Sequence, residues 1–315
     1  MELKQTVAAV AIALLPMQPL WSWNNTGHKV VAYLAYGRLT PAARAKVDAL
    51  LKAHPQFEEF RDPAAAVAAM RMAFANFATW SDDIKGDKRY VDTPRVDANC
   101  RPQGTPKPAP GPVFPGFPDM QRHQDWHYDD LPFSPDNTPM HSSCTPNAVT
   151  QIETILKDLA ASDVADAAKT YDLPWLEHLV GDIHQPLHAV SRFSADYPKG
   201  DAGGNLVRLH DGSNLHSFWD GLPGIPDSSA VVVEVAAKVR RAGKGTTPRS
   251  TPAAWAEDSS AVARKEVYNF TGKGTSDDPV KLSDQYKVNA RVIAYQRLGM
   301  AAARLADVLN EAFGK

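Results

Sequence analysis

The chain has 315 residues, 43% apolar and 22% charged, with only 19 glycines. A globular chain of this size buries roughly 75% of its unfolded surface, and this composition excludes collagen-like, wholly disordered and disulfide-scaffold classes. Lys and Arg number 34 against 36 Asp and Glu, a formal charge of -2, which argues against a broad basic face gripping nucleic acid, so an anionic substrate needs another source of positive charge.

In chain order, Lys4 precedes an apolar run from Val7 to Leu15, within the length of a signal-peptide core and too short to span a bilayer. Residues 1–22 are therefore expected to be an export leader, although Glu2 and Leu20 depart from the usual pattern; a buried N-terminal helix is the alternative. No later stretch approaches about 20 uninterrupted apolar residues, so no membrane anchor is expected. Thr40-Pro41, Asp62-Pro63, Thr145-Pro146 and Thr251-Pro252 each place a capping side chain before a proline at the first helical position. Helices are predicted at about 27–39, 41–53, 63–80, 146–161, 172–190, 229–241, 252–270 and 283–313.

Strand signals are confined to Asn205–Leu209 and 125–129. The segment from 86 to 146, with Pro106, Pro108, Pro110, Pro112, Pro115 and Pro118, reads as an extended loop. In the last helix Val288, Val292, Tyr295, Gly299, Ala302, Leu305, Leu309 and Phe313 follow helical spacing and are expected in the core. His and Asp residues lie on both sides of the proline-rich segment and within it, which favours one domain. The expected fold is mainly α, a single-domain multi-helix unit over 23–315 with long Pro-rich loops and at most a short β-hairpin.

Cys100 and Cys144 are an even pair in an apparently exported chain, so one disulfide is the simple inference, with two free thiols as the alternative. Closing such a loop stabilises a fold by about 4 kcal/mol in the chain-entropy model. Zinc binding by this pair is disfavoured because neither cysteine has a CxxC partner.

The densest chemistry lies in LEHLVGDIHQPLH, residues 176–188. On a helix His178 and Asp182 face one direction and can reach one ion. Pro186 removes a helical donor and separates His188, which can then serve a second ion. NLHSFWD repeats the spacing with His216 and Asp220. Nitrogen and carboxylate ligands without thiolates suit zinc, with manganese or iron also compatible. His184 forms its own i, i+4 pair with His188, and spacing alone does not say which of them is the ligand.

With WNNTGH, WSDDIK, WHYDD, GGN and WAEDS in the same order, the chain resembles the three-zinc, single-strand-specific nucleases and 3′-nucleotidases of the nuclease S-one and P-one type, distantly related to zinc phospholipases C. The resemblance implies that the mature chain begins at Trp23, whose α-amino group and carbonyl bind one zinc with His28. A free amine exists there only once a leader is removed. It further implies that Asp82, His127, His178 and Asp182 surround a second zinc, Asp182 bridging to the first, and that His188, His216 and Asp220 hold the third. His184 is then assigned next to the ligands or to the pocket wall.

Three divalent ions outweigh the three carboxylates and supply the positive centre that the nearly neutral chain lacks. By the same resemblance Asp82 orients the nucleophile, Lys85 neutralises phosphoryl oxygens, Tyr128 stacks on a base, Asp130 accepts hydrogen bonds from the base edge and Asn205 touches substrate. Trp80 and Trp126 read as packing residues, as do His54, His123, His141 and His210 as core or surface residues. The expected protein is a secreted or periplasmic monomer without a stable protein partner. Its expected activity is hydrolysis of RNA and single-stranded DNA to 5′-phosphorylated products, and of 3′-nucleotides. A zinc phospholipase C and a noncatalytic zinc protein are the competing readings.

Overall fold

The computed structural model describes residues 23–62, 69–97, 99–105, 107–243 and 250–314. The expected leader and the Asp62-Pro63 helix start fall outside these residues, wholly or in part. The described chain is mainly α-helical. α1 (Asn25–Tyr36) and α2 (Pro41–Ala53) begin where Asn24 accepts from the Gly27 amide and Thr40 from the Ala43 amide, each at 3.2 Å. Each such cap contributes about 1 kcal/mol.

The helix predicted over 63–80 is described as α4 (Ala69–Phe77) and α5 (Trp80–Asp83), with a turn at Ala78–Thr79 between them, after a short α3 (Phe57–Phe60). α6 (Ala148–Ala160) starts later than Pro146 because Asn147 and Thr150 form a reciprocal capping box. The helix predicted over 172–190 begins earlier, as α7 (Asp166–Asp182), and ends sooner. Pro186 cannot continue it and instead opens a 3-10 turn, Pro186–Ala189, while Gln185 donates its amide to Asp182 O at 2.8 Å and accepts from Leu187 N at 2.7 Å. α8 (Leu215–Asp220), α9 (Ser229–Ala242), α10 (Pro252–Val262), a π-helical turn at Ala263–Val267 and α11 (Asp284–Phe313) complete the order.

The small sheet is a parallel pair, β1 (Pro132–Phe133) with β2 (Ser191–Arg192), and so is not a hairpin. Neither predicted strand forms. Residues Gln124–His127 curl into a 3-10 turn. Residues 205–209 follow the tight turn of Gly203 and Gly204, at φ 58° and 78°, and contribute only isolated bridges at Arg208 and Leu209.

One connected apolar core includes Trp23, Phe74, Trp80, Trp175, Trp219 and Leu298. α7 runs through it, buried on every side from Leu173 to Asp182, with α1, α2, α6 and α11 packed against it. A helix buried all round has no polar face to spare, so His178 and Asp182 must be satisfied inside the protein. In α11 the buried face carries Ala290, Ala294, Leu298, Ala301 and Leu305. Val288 and Val292, expected in the core, are 59% and 48% exposed; two residues of offset turn a helix by about 200°, and the closer packing follows the alanines. The Cys100–Cys144 disulfide is formed and ties the proline-rich segment to the chain just before α6. Among the described residues no helix is long and apolar enough to cross a membrane.

Candidate metal centre

Chain breaks, as much as helices, orient the histidines. The turn at Ala78–Thr79 leaves the Ala78 carbonyl available, and His178 Nδ1 donates to it at 2.8 Å. His188 Nδ1 donates to His127 O at 2.7 Å and His216 Nδ1 to Gly203 O at 2.6 Å. A carbonyl only accepts, so each Nδ1 carries a proton, and it is the Nε2 of each neutral ring that presents a lone pair. Gly203 is required for this placement, since a Cβ there would lie 2.4 Å from Leu187 O. Gly181 on α7 similarly leaves room for the His28 ring, which stacks on His178 with centroids 3.9 Å apart.

Three groups converge, each with its donor atoms within 4.8 Å of one another: His28, His178 and Asp182; Asp82, His127 and His178; His188, His216 and Asp220. Asp182 serves two directions. Its Oδ1 faces His28 Nε2 at 3.3 Å, and its Oδ2 lies 3.0 Å from His127 Nδ1 and 3.2 Å from His178 Nε2. Asp82 lies farther from these rings, 3.7 Å from His178 Nε2, and accepts from Lys85 Nζ at 2.5 Å. In the third group His188 Nε2 and His216 Nε2 are 3.0 Å apart, with Asp220 Oδ2 3.5 Å from the latter. Two imidazole lone pairs at that distance repel, and a cation bound by both removes the repulsion; the donor set fits a metal.

Burial holds His127 down to about 3, with Lys85 adding to it, and His28 down to about 4, with His178 adding to it. Both rings are therefore neutral and able to donate a lone pair. Burial pushes Asp82 up, but the Lys85 charge and then His178 and His127 outweigh it and hold the carboxyl well below its ordinary range. Asp182 is likewise lowered against its own burial, chiefly by His178. Asp220 is raised by burial, although Gln185 Nε2 donates to its Oδ1 at 2.8 Å.

The structure brings the other predicted residues to the same place. Asn24 N donates to Asp220 O at 3.2 Å, which brings the chain just after Trp23 to the third group. Lys85, Tyr128, Asp130 and Asn205 line one cleft of about 340 Å³ together with His127, His188 and His216. The Tyr128 hydroxyl donates to Asp125 at 2.8 Å, leaving its ring to form part of the wall. Asp130 is pushed up to about 7 by burial and then by Asp201, Asp129 and Asp125.

His184 belongs elsewhere. Its Nδ1 donates to Val180 O at 2.7 Å and its Nε2 accepts from Arg304 at 2.9 Å, so neither nitrogen is offered to the three groups. Trp80 and Trp126 pack as expected, Trp80 edge-on to Trp175 and Trp126 stacked on His123. Gln185, which steadies Asp220, escaped the sequence reading although it sits inside the HQPLH motif. So did Arg95 and Arg122, which line the cleft from the proline-rich segment and carry no motif.

The S1/P1 nuclease family model matches residues 23–314. Endonuclease 2 of Arabidopsis thaliana is 27% identical over an alignment covering 97% of this chain and 96% of that protein. Endonuclease 5 of the same plant is 25% identical, covering 92% and 90%. Nuclease S1 of Aspergillus oryzae is 25% identical, covering 71% of this chain and 61% of its own length. With that match spanning nearly all of the described chain and the clustered His/Asp groups at its centre, the protein belongs to the S1/P1 nuclease family and is a hydrolase acting on phosphodiester bonds.

Proposed function

We propose that the protein is an exported zinc nuclease that cleaves RNA and single-stranded DNA to 5′-phosphorylated products and also hydrolyses 3′-nucleotides. The observation that carries the reading is the pair of imidazole lone pairs at 3.0 Å beside Asp220, together with the two-sided Asp182. Three zinc ions would be held by Trp23 and His28 with Asp182, by Asp82, His127, His178 and Asp182, and by His188, His216 and Asp220. Removal of residues 1–22 would free the Trp23 amine. When bound, such ions supply positive charge for a phosphodiester and acidify water for attack at phosphorus.

The protein's own groups do the rest. Asp82, held ionised by Lys85, accepts a hydrogen bond from the attacking water and fixes its direction. The Lys85 ammonium stands at the cleft and neutralises a non-bridging phosphoryl oxygen. Tyr128 offers a flat face to a base that has left its stack, Asp130 bonds the base edge, and Asn205 braces the substrate from the Gly203–Gly204 turn. A base inside a duplex cannot reach that wall without unpairing, which accounts for single-strand preference. The test is product analysis on matched single- and double-stranded oligonucleotides. The reading expects 5′-phosphate ends and strong preference for the single strand; 3′-phosphate ends, or faster turnover of phosphatidylcholine than of oligonucleotide, would overturn it.

A further inference from the structure

The proline-rich segment carries a guanidinium to the cleft and braces it there. Arg95 lines the same cleft as Lys85, Tyr128 and Asn205, and its charge acts on the Tyr128 hydroxyl. Its backbone is built in: Gln103 N donates to Arg95 O at 2.6 Å, Asp97 N to Arg101 O at 2.9 Å, and Val96 bridges Pro102. The Asp97 carboxylate is occupied by the Asn99 and Arg101 amides, and Cys100 in the same turn is bonded to Cys144. The neighbouring acids are also engaged. Asp92 pairs with Arg122 at 2.8 Å and Asp125 accepts from Tyr128. Arg95 itself is exposed and forms no ion pair among the described residues, unlike Arg122 and Arg89, which pair with Asp92 and Glu59.

A disulfide-braced turn that presents an unpaired guanidinium beside a base-stacking wall suits a second phosphate. We infer that Arg95 binds the phosphodiester adjacent to the one being cleaved, making this a subsite for polynucleotides that a dinucleoside monophosphate or a mononucleotide does not fill. The inference rests on the nuclease reading above. Arg suits the task because its planar fork meets two phosphate oxygens at once, and an exposed position keeps the contact a matter of binding rather than of chemistry.

The test compares kcat/KM for a ten-nucleotide single strand and for a dinucleoside monophosphate in protein that begins at Trp23 and in its Arg95→Ala variant. Losing one charge-assisted phosphate contact should lower the long-substrate value about 10-fold, mainly through KM, and leave the short-substrate value within about twofold. The salt dependence on the long substrate should flatten by about 0.7 in log–log slope, one phosphate's worth for a single strand. Arg95→Lys should recover most of the salt slope, since it restores the charge. An equal loss on both substrates, or an unchanged ratio and slope, would overturn the subsite. Absence of cleavage of either substrate by the unsubstituted protein would instead overturn the nuclease reading itself.

Discussion

Asp182 turns one oxygen toward His28 and the other toward His127 and His178, so removing it should disturb two ligand groups at once. Asp182→Ala is expected to lose at least one bound ion per chain and nearly all activity. His184→Ala should keep the full metal content, because its nitrogens face Val180 and Arg304; its cost, about 2 kcal/mol, should fall on stability through the lost charge-assisted hydrogen bond from Arg304. Metal analysis of the purified variants separates these outcomes, and the reverse pattern would exchange the two assignments.

Asp130 makes a pH prediction. Its carboxyl is raised from 3.8 to about 7, so the folded protein keeps a proton that the unfolded chain releases near pH 4. Stability contributed by the protonated form is therefore present below pH 4 and is lost as pH rises toward 7. Relative to Asp130→Asn, the denaturant midpoint of the wild type should fall across that window and run parallel outside it. An ionised Asp130 only accepts, whereas a protonated one also donates. The ratio of kcat/KM for adenine- and thymine-containing substrates should accordingly shift near pH 7 in the wild type and stay flat in the variant. At this scale the i, i+4 spacing of His178 with Asp182 and His216 with Asp220 was legible in sequence. The carbonyls of Ala78 and Gly203 that aim the rings were not, because they arise from turns distant in the chain.

The end of α7 is held by other elements rather than by its own sequence. A helix leaves its last carbonyls unpaired, and here Ser259 of α10 donates to Ile183 O at 2.5 Å while Arg297 of α11 donates to His184 O at 3.1 Å and to the Ser259 hydroxyl. Arg304 adds His184 and Asp258 to the same network. Arg297→Met should lower unfolding free energy by about 2–3 kcal/mol, since it strands the buried His184 carbonyl and removes a charged donor from the Ser259 hydroxyl. Asn147→Ala should cost about 1 kcal/mol through the lost cap of α6. Equilibrium denaturation checks both, and a change below half of these values would remove the proposed role. Helix starts were legible where a capping residue preceded proline at Thr40 and Thr251, but not at Thr145-Pro146, where Asn147 takes over the cap and α6 begins at Ala148. The core stripe of α11 was legible over its later turns, where Gly299, Ala302, Leu305 and Leu309 are buried, but not at its start, where Ala290 and Ala294 pack in place of Val288 and Val292.

Across the whole molecule the candidate ligands come from α1, α5, α7, α8 and the loops around His127 and His188, all gathered on one core. A bound ion that only the folded chain can assemble adds its binding free energy to stability, so chelation should lower the melting temperature as well as activity. Tyr128→Ala, which touches no ligand group, should leave metal content intact and reduce oligonucleotide kcat/KM roughly 5- to 150-fold through lost stacking. Retaining residues ahead of Trp23 should suppress activity if its amine is a ligand; N-terminal sequencing of active protein identifies the start. The central claim, that lone pairs and carboxylates converge here to hold catalytic zinc, is tested most directly by elemental analysis of the purified mature protein alongside its activity on single-stranded DNA before and after chelation. The account predicts three zinc ions per chain, loss of cleavage when they are removed and recovery when zinc is returned. Undiminished cleavage by metal-free protein would contradict it.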